Sequence, residues 1–340
     1  MSLRTTILAA ALIGAQTACG GSSGPPASSS TTACKSLKVG TESASLTVTD
    51  TPTAGFSLPI NAQPVGIVRD RDGVSVWLLA TGLDRVIHVD ASGMATSYQL
   101  PRSGLGIQLS QGSDGTVWVP EQFRDAVVSI APDGSAQECT LPRKNSEPMA
   151  TSVGSDGSVW VSEGRGEAVA RLDQGHFTEY PIGPPAAKGA EVLAASDGGG
   201  AWFSVMGAQE LGHITKDGKI DRISLGGSTS YLGLLETPDG AVWVADFGGD
   251  RIVRLAKDRT MLTWSAPSGA KPQGLALGPA GVVWVTESGI DRIASVRGSA
   301  LVEGYKTGSW PDHLAITTDG WAWFTEYNQD RLGRVLLPAT

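Results

Sequence analysis

The stretch GAVWVADFGGDRIVRL, residues 240–255, decides the fold, because the chain writes it repeatedly. GTVWVPEQFRDAVVSI begins at residue 115 and GVVWVTESGIDRIASV at residue 281. Each copy sets a tryptophan after a small or β-branched residue, usually an acid three residues later, and then a second apolar run. The tryptophans in this place are Trp77, Trp118, Trp160, Trp202, Trp243, Trp284 and Trp323, spaced 39 to 42 residues apart. A period near 40 built from short strands and turns is the signature of a β-propeller. Seven copies predict an all-β, seven-bladed propeller of four-stranded antiparallel blades over residues 54–340.

Within a unit, PQGLALGPAGVVWVTE (272–287) reads as strand A, a tight turn and strand B. Asp72-Gly73, Asp114-Gly115, Asp156-Gly157, Asp239-Gly240 and Asp319-Gly320 fill that turn elsewhere, and Asp-Gly favours the primed hairpin turns. Strand C follows as DRIVRL, DRIASV or DRLGRV, and strand D as HFTEYPI. No segment has a helical period. The last unit ends after DRLGRVLLPAT without a strand D, whereas AGFSLPI (54–60) precedes the first unit. An open blade would leave an unpaired edge, so residues 55–60 are expected to complete blade seven and close the ring. The strand-B tryptophans are large enough to wedge adjacent sheets apart, burying roughly 150–250 Å² each.

The bulk composition fits a globular chain with a large core: 340 residues, 41% hydrophobic and 18% charged. A net charge of −8, with no basic cluster longer than RK, argues against a nucleic-acid partner. The N-terminus MSLRTTILAAALIGAQTAC pairs Arg4 with an apolar run from Ile7 to Ala15 and small residues before Cys19. Residues 1–19 therefore read as an export signal, too short to span a bilayer. TAC-GG resembles a bacterial lipobox, making Cys19 the candidate lipidation site, with plain secretion as the alternative. Residues 20–53 open on GGSSGPPASSSTT and are expected to be a flexible tether with nothing to pack. The expected location is the cell envelope, periplasm or exterior, as a monomer touching membrane only through an N-terminal lipid. GGSSG matches the G-x-S-x-G elbow in a segment with no strand-turn-helix to hold it, and CxxC and HExxH motifs do not occur. With Cys19 set aside, Cys34 and Cys139 form an even pair, read either as a disulfide or as two free thiols.

The chemistry belongs at the mouth where strands A begin and strands B end. The residue three after the tryptophan is Glu121, Glu163, Asp246, Glu287 and Glu326 in blades two, three, five, six and seven, against Ala80 and Val205 in blades one and four. Glu191 and Asp312 join from the starts of strands A. So many carboxylates on one mouth need cancelling charge. Three sources are open: arginines such as Arg85, Arg251, Arg292 and Arg331 that follow an aspartate at strand C, a divalent cation such as Mg²⁺ or Ca²⁺, or a cationic organic ligand. Val65, Leu105, Met149 and Leu232 give the mouth an apolar arc, which either plugs the channel or faces an amphipathic small molecule or peptide. Gln273, Trp310, Asp312 and His313 complete the mouth on blades six and seven. His313, beside Asp312 and within reach of Glu326, is the candidate general base. The other histidines fall on strands C and D.

The pattern P-x-G-I/L-A, D-G-x-V-W-V/F-T-E, D/N-x-I-x-R resembles the streptogramin B lyase (virginiamycin B lyase) family across all seven units, most closely in WPDHLAITTDGWAWFTEYNQDRLGRV (310–335). The resemblance implies a seven-bladed propeller and a lyase opening a cyclic depsipeptide antibiotic by elimination at an ester bond, with glutamate-bound magnesium and a histidine base. By that resemblance Glu326, and Asp312 beside it, are the metal-ligand candidates and His313 the base. The chain departs from the family pattern around Pro311, where E-P-H-G becomes Trp310-Pro311-Asp312-His313, and Gln273 falls where blade six would carry a histidine. Three readings follow: an exported propeller that binds a small molecule or peptide at the mouth, with or without a cation; a magnesium-dependent lyase; or a protein-interaction platform on the blade rims.

Overall fold

A computed structural model describes residues 28–31, 34–50, 53–101, 104–183, 189–196, 198–205, 207–228 and 230–338. Seven antiparallel sheets follow one another along the chain, each running A to D from the axis outward. In blade five these strands are Tyr231–Glu236, Val242–Asp246, Arg251–Leu255 and Met261–Ser265. The ring closes as expected: Gly55–Ser57 pairs with Arg331–Gly333 as strand D of blade seven.

The A–B turns differ from the primed hairpins expected of Asp-Gly. In the opening stretch the turn runs from Thr237 to Gly240, closed by Gly240 N–H to the Thr237 carbonyl at 2.7 Å. Only its last residue, Gly240 at φ +73°, is left-handed, which makes a longer loop ending in a left-handed glycine. The Asp239 side chain stabilises it by accepting from Thr237 Oγ1 at 2.6 Å.

The described residues of the segment expected to be a loose tether are largely strand. Ser28–Thr31, Lys35–Leu37, Gly40–Ser45 and Thr47–Thr49 pair in turn with the outer strands of blades three, two, one and seven. Among the described residues, four blades therefore have five strands and three have four. Composition hid this belt because an outer strand needs mainly backbone N–H and C=O groups, which Ser and Thr supply as well as apolar residues do. Cys34 is joined to Cys139 by a disulfide, fastening the belt to blade two. Cys19, the export signal and residues 20–27, 32–33 and 51–52 of the tether lie outside the described residues.

The repeating tryptophans form cross-strand ladders. Trp243 stacks on Trp264 with centroids 5.1 Å apart, and Arg254 lies 5.9 Å above its ring. Trp323 does the same with Phe56 and Arg334. Each ladder also packs on the following blade: Trp243 is clustered with Val283 and Val285, and Trp160 with Leu193 and Phe203. That inter-blade wedge sets the geometry of the mouth.

Candidate functional site

Most mouth acids are neutralised inside the protein. Asp246, Glu287 and Glu326 are fully buried, and each faces, directly across the B–C ladder, the arginine that opens strand C. Arg251 Nε reaches Asp246 at 2.7 Å, Arg331 Nη1 reaches Glu326 at 2.6 Å, and Arg292 bonds Glu287. Burial raises the Glu326 carboxyl, while Arg331 and the Gly308 N–H oppose that rise. Blade one lacks the acid, and its Arg85 turns outward to Glu42 of the belt at 2.8 Å. Blade two has Ala126 at the start of strand C and borrows Arg124, 3.4 Å from Glu121. In blade three Ala168 fills that place, and the nearest cation to Glu163 is Arg143 at 3.9 Å. Neither Glu163 oxygen accepts a hydrogen bond among the described residues. Burial first, and the Glu179 carboxylate second, push the Glu163 carboxyl up to about 8. Glu191 is half-buried, and burial raises its carboxyl too.

Blades six and seven bring four predicted or neighbouring residues together. A register shift between Pro311 and Leu314 bulges the start of strand A, and a bulge re-aims side chains that would otherwise alternate. Asp312 can thus bond the adjacent His313 through Oδ1 and Nδ1. Asp312 Oδ2 accepts from Gln273 Nε2 at 2.7 Å, and Gln273 Oε1 accepts from Ser288 Oγ at 3.1 Å. Asp312 and Gln273 are 5% and 8% exposed, so this chain is sealed from water on one side. The His313 ring lines a channel cavity of about 250 Å³ with Gln108, Leu109, Leu234, Leu275 and Leu314. The acid paired with His313 is therefore Asp312, while Glu326 belongs to Arg331. Val65 and Leu105 are buried in the core under the mouth, which supports the plugging role for part of the apolar arc.

The rim above carries Trp310. Its backbone is left-handed at φ +60°, unusual for a bulky residue, and its N–H donates to Asp291 Oδ1 at 2.8 Å. The same device recurs: Lys271 N–H donates to Asp250 at 2.8 Å and Gln63 N–H to Asp330 at 2.9 Å. The aspartate before strand C is thus a clamp on the next blade. Sequence reasoning weighed the arginine beside it and missed this role, although its recurrence at Asp84, Asp125, Asp250, Asp291 and Asp330 was the available signal. Phe247, from the loop after Asp246, stands 6.4 Å from Trp310 between ring centroids. Lys271 Nζ lies 5.6 Å from the Phe247 centroid and 5.2 Å from that of Trp310.

The magnesium implied by the family pattern does not fit these residues. Glu326 spends one oxygen on the Gly308 N–H and the other on the Arg331 guanidinium, whose charge opposes a cation at the same oxygen. Asp312 spends its two on Gln273 and His313. Another acid–histidine group, Asp70, Asp72 and His88, has ligand atoms within 4.8 Å of one another. It lies at the A–B turn of blade one, at the other end of the strands, where Arg254 pairs with Asp239 in blade five, and His88 already bonds Asp70 at 2.9 Å.

The chain shares 32% identity over 163 residues with a virginiamycin B lyase from Nocardia farcinica, a match spanning 48% of this chain and about half (55%) of that relative. A streptogramin B lyase structure superposes with a TM-score of 0.77 at 21% identity, covering 86% of this chain and 97% of the other. A catalytically inactive virginiamycin B lyase from Staphylococcus aureus, solved with quinupristin, gives 0.77 at 22% identity, covering 88% and 100%. At such identities the two structures show a shared fold. The virginiamycin B lyase family model matches residues 44–245 and 227–339, and the chain belongs to that family.

Proposed function

We propose that this chain is an exported cell-envelope propeller that binds a small molecule or peptide over the mouth of blades five to seven, without antibiotic lyase activity. One observation carries the reading: Gln273 and Asp312, standing where the family pattern carries histidines, are bonded to each other instead. No magnesium-dependent elimination is built from such a pair, while the half-exposed Phe247, Lys271 and Trp310 remain facing outward above it. Export rests on the N-terminal nineteen residues, with Cys19 as the lipid acceptor, and is favoured by the Cys34–Cys139 disulfide, a bond of oxidising compartments.

The test is amide chemical-shift mapping of the full chain against a panel of cyclic and linear peptides. The reading requires shifts at Phe247, Lys271, Gly289 and His313, with the ligand recovered intact. Shifts confined to the outer blade edges would replace it with the interaction-platform reading. The second reading, a lyase with His313 as base, is favoured by the Asp312–His313 pair, because a carboxylate on Nδ1 orients an imidazole and fixes its tautomer. It requires turnover that His313→Ala abolishes with the fold retained.

A further inference from the structure

The mouth of blades five to seven contains one feature that its ion pairs leave unexplained. Asp246, Glu287 and Glu326 are each answered by their own arginine. Lys271, between Phe247 and Trp310, has no carboxylate partner among the described residues. Its stem crosses Gly289, where an added Cβ would stand 3.2 Å from Lys271 Cδ and collide with the Gly269 carbonyl. Three loops and a missing side chain thus hold an ammonium against two half-exposed aromatic faces.

Resting on the mouth-binding reading, we propose that Phe247, Lys271 and Trp310 form a subsite for a carboxylate attached to a planar ring. The acids beneath carry their own counter-charges, and the Asp250 and Asp291 carboxylates at the rim are turned to backbone N–H groups, which leaves the Lys271 ammonium to face an anion. A cationic ligand would meet Lys271 as a like charge. The ring of the ligand stacks on Trp310, since an indole face accepts offset stacking, while the carboxylate takes the open side of the ammonium. A free aryl acid and the carboxyl end of a peptide terminating in an aromatic residue both carry this chemistry.

The experiment titrates the full chain with indole-3-carboxylate and indole-3-carboxamide, and in parallel with N-acetyl-phenylalanine and its amide, following the backbone amides of Phe247, Lys271 and Gly289. Each acid is expected to bind at least tenfold more tightly than its amide. Lys271→Met, which keeps the stem over Gly289, should erase that difference, and Lys271→Arg should keep it. The tighter acid identifies the source as aryl acid or peptide terminus. Equal binding of acids and amides, or an unchanged preference in Lys271→Met, overturns the subsite. If neutral peptides still shift the mouth amides in that case, mouth binding survives alone. If no probe shifts any mouth amide, the subsite and the reading beneath it fall together.

Discussion

Glu163 is a buried acid that its blade never equipped with an arginine, and replacing it by glutamine should change how stability depends on pH. Its carboxyl is raised from 4.5 to about 8 by burial and by Glu179. The native state therefore keeps the proton up to about pH 8, whereas the unfolded chain releases it above about 4.5. The sign follows: the stability tied to this proton is fully present below pH 4.5 and is lost as pH rises to 8. At about 1.4 kcal/mol per pH unit, the loss across that window is on the order of 5 kcal/mol, and relaxation around a real carboxylate brings it to roughly 3–5. Glu163→Gln is neutral at every pH and lacks this loss. Urea unfolding of wild type and variant at pH 5, 6, 7 and 8.5 should show the variant gaining steadily on the wild type as pH rises. A difference that stays flat from pH 5 to 8.5 would refute the reasoning and mean that Arg143 pairs with an ionised Glu163.

Arg331→Met strands the Glu326 carboxylate in the core and should cost about 3–5 kcal/mol in chemical denaturation, most of it recovered in the double variant with Glu326→Gln. Cys139→Ala opens a covalent loop with a sequence separation of 105 residues, so the chain-entropy model predicts a loss of about 4–5 kcal/mol, with faster hydrogen exchange in Lys35–Leu37 than in the inner strands. Asp291→Ala leaves the Trp310 N–H without its acceptor and should cost about 1–2 kcal/mol, seen as a lower Tm together with shifted amide resonances at Trp310 and Lys271.

The repeat was legible because a propeller spaces its signals evenly: tryptophan, turn and apolar strand recur near every 41 residues, and packing against the next blade demands the same residue each time. The unpaired strand D at Gly55–Ser57 was legible for the same reason, as a missing member of a regular set. The belt was not, because strands at an outer edge are stabilised by backbone pairing and place little demand on side chains. The acid–arginine pairs of blades five, six and seven could be anticipated from two residues on neighbouring strands. Asp312 and His313 were legible as neighbours, but the bond between their side chains was not, since it depends on a bulge at Pro311–Leu314 that no residue type announces. Phe247 and Lys271 escaped notice because they meet Trp310 only through three loops from three blades.

The measurement that bears most directly on the central claim is a lyase assay of the full chain with a streptogramin B-type cyclic depsipeptide, run with EDTA and with millimolar Mg²⁺, and read by mass spectrometry. The ring should be recovered intact in both, with no Mg²⁺-dependent rise in Tm, because Glu326 is held by Arg331 and Asp312 by Gln273 and His313. A linear elimination product that requires Mg²⁺ and vanishes in His313→Ala would contradict it.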